Sequence, residues 1–175
     1  MKKKNKLALI FGFVALTSGS VWLGGYIARL LTTYSMFEAT ELILKNIFNE
    51  TNLNAVFNVT YPLVNLTFIS YLLMVVSFTL FLIYSQYKFK ENGWLFIIAA
   101  IIYITLPFEL LLLLIDYKLI VLYMSDQFSS EKVLELVIQR ISKLSSFPVI
   151  NILSFMTIPF LLIYKPFTSK GKDED

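Results

Sequence analysis

The stretch LVNLTFISYLLMVVSFTLFLIY, residues 63–84, decides the fold because it is uncharged and long enough to cross a membrane. A bilayer core of about 30 Å is crossed by about 20 helical residues. Three more apolar stretches lie at residues 7–28, 94–115 and 149–164, and the last of them is slightly short. The sequence therefore predicts an all-α integral membrane bundle of four transmembrane helices, built as one domain over residues 1–175.

The composition agrees with lipid as the solvent and excludes several kinds of chemistry. Apolar residues make up 57% of the chain and charged residues only 15%, whereas soluble domains carry about 25% charged residues. The sequence has no cysteine and no histidine, so thiolate chemistry, most zinc sites and the commonest general base are absent. Glycine-rich nucleotide motifs are absent as well. We therefore expect a protein that is not an enzyme and that binds no cofactor or metal.

Basic residues cluster in three short segments that flank the apolar stretches. Since Lys and Arg near helix ends mark the cytoplasmic side, we expect both termini in the cytoplasm, with the connections 29–62 and 116–148 outside the plasma or inner membrane. We interpret these clusters as orientation signals and lipid contacts, not as a nucleic-acid surface. The clustered residues are Lys2, Lys3, Lys4, Lys6, Lys88, Lys90, Lys165, Lys170 and Lys172.

The first apolar stretch has a second interpretation. Residues Met1 to Ser20 have the basic start, apolar middle and small residues of a cleavable signal peptide. Cleavage would leave three spans. Apolar residues resume at once with Val21 and continue to Ile27, which favours an uncleaved first helix.

Each long connection contains a segment with helical periodicity. In residues 36–48 and 131–144, apolar residues recur on one side and charged residues on the other. The sequence therefore predicts two amphipathic extracytoplasmic helices. They lie on the headgroup layer, pack on each other, or form a docking surface for a partner. The apolar sides are formed by Phe37, Leu44 and Phe48 in the first segment, and by Leu134, Val137, Ile141 and Leu144 in the second.

Small residues form a line along the first span. They are spaced four, three and four positions apart and so share one helical face: Ala8, Gly12, Ala15 and Gly19. Lipid provides no hydrophobic force between helices, so close backbone contact has to stabilise their pairing. We expect this face to pack against another helix, either in this chain or in a neighbouring protein.

The most informative single residue is Glu109, which lies inside the third apolar stretch. An ionisable side chain at membrane depth costs about 2.5 to 3.5 kcal/mol on insertion scales and usually faces the bundle interior. Polar residues expected at a similar depth are Arg29, Asn65, Thr105 and Asn151. We predict that they form one intramembrane polar cluster in which Arg29 pairs with Glu109.

Three interpretations of this cluster stay open: a structural network of hydrogen bonds, a protonatable group on a transport path, and a notch for a small ligand or lipid. We expect a non-catalytic accessory subunit of a membrane assembly, which binds the lipid bilayer and either a membrane-protein partner or itself. One alternative is a small pore or transport subunit that uses Glu109. Another is a membrane effector or immunity factor of a bacterial conflict system.

Overall fold

The computed structural model describes residues 5–38, 42–125, 129–144 and 146–169. These residues form five helices. Four of them, α1, α2, α3 and α5, are long and apolar enough to cross a membrane, which confirms the prediction of four spanning helices in an all-helical chain. The helices are α1 Lys6–Ser35, α2 Glu50–Tyr84, α3 Gly93–Met124, α4 Ser130–Lys143 and α5 Phe147–Tyr164.

Three of the spanning helices are longer than their apolar stretches. α1, α2 and α3 contain 30, 35 and 32 residues, which at about 1.5 Å per residue gives lengths of about 45 to 52 Å. α5 has only 18 residues and is about 27 Å long. Much of the expected connections 29–62 and 116–148 is therefore helical. The extensions form because their apolar residues are buried against one another.

These buried residues form a small hydrophobic core, the cap core, at one end of the bundle. It brings together the residues that follow α1, the N-terminal end of α2 and both ends of α4. We call this end of the bundle the cap end. The buried members of the cap core are Met36, Phe37, Leu53, Phe57, Val133 and Ile141.

The helix predicted for residues 36–48 is not observed in the described part of that segment. Phe37 and Leu44 instead form an antiparallel bridge. Residues 39–41 lie outside the described residues. Met36 and Phe37 are each only 3% exposed, so burial in the cap core outweighs the helical periodicity of the sequence.

The second predicted segment forms α4, one residue earlier at each end than expected. Val133, which the predicted apolar side omitted, is the most buried residue of this helix at 1% exposure. Ile141 is also buried, whereas Leu134 and Val137 are half-buried. The exposed residues of α4 include Lys132, Glu135, Gln139 and Lys143.

The small residues of α1 pack against α2 of the same chain. A Cβ atom added at Gly12 would lie 3.1 Å from the Phe81 ring, and one added at Gly19 would lie 3.1 Å from the sulfur of Met74. The two contacts are seven residues apart on α1 and also seven residues apart on α2. Ala8 and Ala15, the other members of the predicted face, are buried at 7% and 8% exposure. The absence of large side chains lets the two backbones approach closely.

The described ends of the chain lie together at the end of the bundle opposite the cap. Asn5 donates a side-chain hydrogen bond to the Tyr84 carbonyl over 3.3 Å. The backbone amide of Gly93 donates to the Phe167 carbonyl over 3.1 Å. We call this the terminal end. The basic residues Lys2 to Lys4, Lys170 and Lys172 lie outside the described residues.

The candidate cleavage site after Ser20 lies inside α1, and the helix continues through it without a break.

Candidate functional site

The best-defined polar site is an ion triad near the cap end, formed by three helices. Arg29 of α1 donates from Nη1 and Nη2 to the two carboxylate oxygens of Asp116 on α3, over 2.8 and 2.6 Å. Arg140 of α4 donates from Nε to the same carboxylate over 2.9 Å. Arg29 is 7% exposed and Asp116 is 1% exposed. This fork-to-carboxylate geometry is the strongest arrangement that an ion pair adopts.

The pairing of Arg29 with Glu109, which we expected from the sequence, does not form. Asp116 lies seven residues beyond Glu109 on the same face of α3, or about 10 Å closer to the cap end. Arg29 is near the cap end of α1, at the same height in the bundle as Asp116. It therefore pairs with Asp116 and not with Glu109. Asp116 is the first residue of the predicted outer connection 116–148, so no intramembrane partner was expected for it.

Arg140 was not predicted as a site residue at all. The only signal was its position next to Ile141, which places a cation beside the apolar side of α4. Burial of Arg140 acts to lower its pKa, but the Asp116 carboxylate, with Tyr26 and Glu109 nearby, raises the pKa above its usual value. Arg140 therefore stays charged.

Glu109 forms a second polar layer, on the terminal side of the triad. Asn151 of α5 donates from Nδ2 to Oε1 of Glu109 over 2.5 Å. The two residues are only 1% and 0% exposed. Among the ion pairs of the described residues, none involves Glu109. In this part of the chain, Glu109 is therefore held by the amide of Asn151 and not by a cation.

The other predicted members of the cluster are placed differently. Thr105 is buried one turn from Glu109, but its hydroxyl donates to the Ile101 carbonyl of its own helix over 2.8 Å. Asn65 on α2 is half-buried and makes no side-chain hydrogen bond to these residues. Of the five predicted residues, the structure thus joins only Glu109 and Asn151 directly.

Two buried tyrosines complete the site. The Tyr26 hydroxyl faces Glu109 and Asn151, and its ring lies under the guanidinium of Arg140, 5.5 Å from the ring centroid. Tyr26 therefore connects the triad to the Glu109 layer. The hydroxyls of Tyr26 and Tyr71 and the Oδ1 atom of Asn151 have no hydrogen-bond partner among the described residues. An unsatisfied buried polar atom costs about 1 to 3 kcal/mol. Further hydrogen bonds to these three atoms of the Glu109 layer would therefore be favourable.

All five helices contribute to the two layers, so the site joins the whole bundle. Within the described ranges, no group of three or more Asp, Glu, Cys or His residues is arranged to hold a metal ion.

Comparisons with protein-family models, with curated proteins and with solved structures found no match to this chain. Its function therefore has to be inferred from the geometry of the site and from the surface of the cap end.

Proposed function

We propose that this protein is a non-catalytic accessory subunit of a membrane assembly in the plasma or inner membrane. Its termini lie in the cytoplasm and its cap end lies outside. The orientation is supported by the basic residues beside the terminal end, such as Lys6, Lys88 and Lys165. The partner is another membrane protein or a second copy of the chain.

The observation that supports this proposal is a set of exposed apolar side chains at the cap end, which we call the exposed apolar surface. Val59 of α2 is 80% exposed and lies 25 residues from Tyr84, or about 37 Å along the helix. This distance exceeds the bilayer core of about 30 Å. Met124 of α3 is also 80% exposed, and Ile47 is 70% exposed. A partner protein that covered these apolar side chains would remove them from water, which is favourable.

The ion triad supports a structural role for the polar residues. The Asp116 carboxylate receives three hydrogen bonds from two arginines. A buried ion pair of this kind fixes the positions of helices more than it adds stability. In this protein it holds α4 in one position on the bundle.

Site-specific photo-crosslinking in native membranes tests the proposal. A crosslinkable residue at Val59 or Ile47 is expected to give one protein adduct of defined mass, because both side chains belong to the exposed apolar surface. The matched control is Gln139, which is exposed on α4 but lies on its polar side. An adduct of twice the chain mass would identify the partner as a second copy. Adducts with lipid alone at Val59 and Ile47 would contradict the proposal.

A second candidate function is transport, which one observation favours. Glu109 is buried without an ion pair in the described residues, and it lies among unpartnered groups of Tyr26 and Asn151. A carboxyl group in such a place suits a proton or cation path. Flux through liposomes that contain the purified protein tests this role. If flux is absent, or is the same after Glu109→Gln, the transport function is wrong.

A further inference from the structure

We propose that a pocket at the cap end binds a phosphate group, supplied by the headgroup of a membrane lipid or by free phosphate. The pocket lies between α1, α2, α3 and α4 and has a volume of about 40 Å³. Arg29 and Arg140 form its charged wall, and the threonines Thr32, Thr33 and Thr60 also line it. The rest of the lining is apolar.

The charges beside the pocket are not balanced. Arg29 and Arg140 share the single carboxylate of Asp116. The other acid, Glu109, acts electrostatically on Arg140 but forms no ion pair with it and is hydrogen-bonded to Asn151. The triad therefore carries one excess positive charge in a buried position. Because an uncompensated buried charge is costly, an anion in the pocket would stabilise the triad.

The two arginines also have unused donors. Asp116 accepts hydrogen bonds from Nη1 and Nη2 of Arg29 and from Nε of Arg140. The Nε of Arg29 and both terminal nitrogens of Arg140 have no acceptor among the described residues. Guanidinium groups match phosphate oxygens in geometry and in charge, so these three donors suit a phosphate group.

The size and depth of the pocket fit this ligand. A volume of about 40 Å³ holds about three water molecules, which is enough for the oxygens of one phosphate group but not for a whole headgroup. The remainder of a lipid would lie outside, past the exposed Thr32. Arg29 is 23 residues from Lys6, or about 35 Å along α1, which is close to the level of lipid phosphates.

The experiment measures binding to the full-length protein in neutral detergent by native mass spectrometry and by the shift in melting temperature. The probes are phosphatidylglycerol and inorganic phosphate. Thr33→Glu is the decisive variant because it places a carboxylate in the pocket as an internal counterion, which preserves the fold while it excludes the phosphate. Binding to this variant is expected to weaken by about tenfold or more, the loss of one or two charge-assisted hydrogen bonds.

Gln139→Glu is the matched control, since it adds the same charge at an exposed position of α4 and is expected to bind like wild type. A response to phosphatidylglycerol alone would identify the ligand as a lipid headgroup, and a response to inorganic phosphate would show that the phosphate group suffices. The proposal is overturned if neither probe binds the wild-type protein. Equal binding by the Thr33→Glu and Gln139→Glu variants would also overturn it.

Discussion

Arg29 and Asp116 lie 87 positions apart in the sequence and form a two-point ion pair with N–O distances of 2.8 and 2.6 Å. The pair joins α1 to α3. The backbone of α1 packs mainly on α2, and that of α3 packs on α5 and α4. The ion pair therefore connects two helices whose backbones are not in close contact.

Removing the shared carboxylate should destabilise the protein strongly. Asp116→Asn would leave two buried guanidinium groups without a counterion, and breaking a buried pair in this way costs about 3 to 5 kcal/mol. The free energy of unfolding in detergent, measured by denaturant titration, checks this value. The control is Glu91→Gln, which breaks the exposed pair with Lys88 and should change stability little. Equal effects of the two variants would show that the triad adds nothing.

Replacing either arginine should lower the free energy of unfolding less than replacing Asp116 does. The reason is that the carboxylate has two ion-pair partners, whereas each arginine has one. After Arg29→Gln, Asp116 still accepts a hydrogen bond from Arg140 over 2.9 Å. In an Asp116→Asn background, Arg29→Gln should cost less than it does in the wild type, since it then removes an unpaired charge. A double-mutant cycle on unfolding free energies measures this coupling. Strictly additive effects would argue against the pair.

The packing of α1 on α2 can be tested with two adjacent glycines. A Cβ atom at Gly25 would lie 3.0 Å from the Cγ2 atom of Thr67, whereas at Gly24 it would have nothing within 4 Å. Gly25→Leu is therefore expected to force the helices apart and to cost about 1 to 3 kcal/mol or more. Gly24→Leu points away from α2 and should be tolerated. Thermal unfolding of the two variants compares them, and a similar loss in both would contradict the observed interface.

The Glu109 layer should distinguish two substitutions of similar size. Glu109→Gln keeps a carbonyl oxygen that can accept from Nδ2 of Asn151, so stability should stay close to that of wild type. Glu109→Leu leaves the buried Asn151 amide without a partner, at a cost of about 1 to 3 kcal/mol. Unfolding midpoints of the purified variants check this difference. If Leu were tolerated as well as Gln, the hydrogen bond would have no structural role.

The orientation in the membrane can be tested without background labelling, because the sequence contains no cysteine. Glu135→Cys places a thiol on the exposed side of α4, and Glu91→Cys places one in the exposed connection at the terminal end. A membrane-impermeant maleimide added to intact cells should label the first variant, and should label the second only after permeabilisation. Labelling of the second variant alone in intact cells would reverse the proposed orientation.

The four spanning helices could be predicted from the sequence because bilayer thickness sets a length that apolar stretches must meet. Their extensions could not be predicted in this way. Residues 50–62 look like a polar connection, yet Leu53 and Phe57 are buried in the cap core at 5% and 2% exposure. The residues that cover them come from α4 and from the end of α1, so tertiary contacts decide this part of the fold.

The polar site could also be predicted only in part from the sequence. The depth of Glu109 and Asn151 in their helices was sufficient to place both in one candidate cluster, but not to predict that they pair. The partner of Arg29 depended on how far α1 reaches relative to α3, a shift of two helical turns that apolar periodicity does not report. Arg140 was missed because its helix lies outside the apolar stretches, where no rule of membrane depth applies.

α4 ends at Lys143 and α5 begins at Phe147, so Arg140 and Asn151 lie on two separate helices. A mechanical pull on α4 is therefore resisted by Arg140 and by the buried Val133, and not by a continuous helix. Any displacement of α4 would therefore act first on the Asp116 carboxylate, which Arg140 contacts directly.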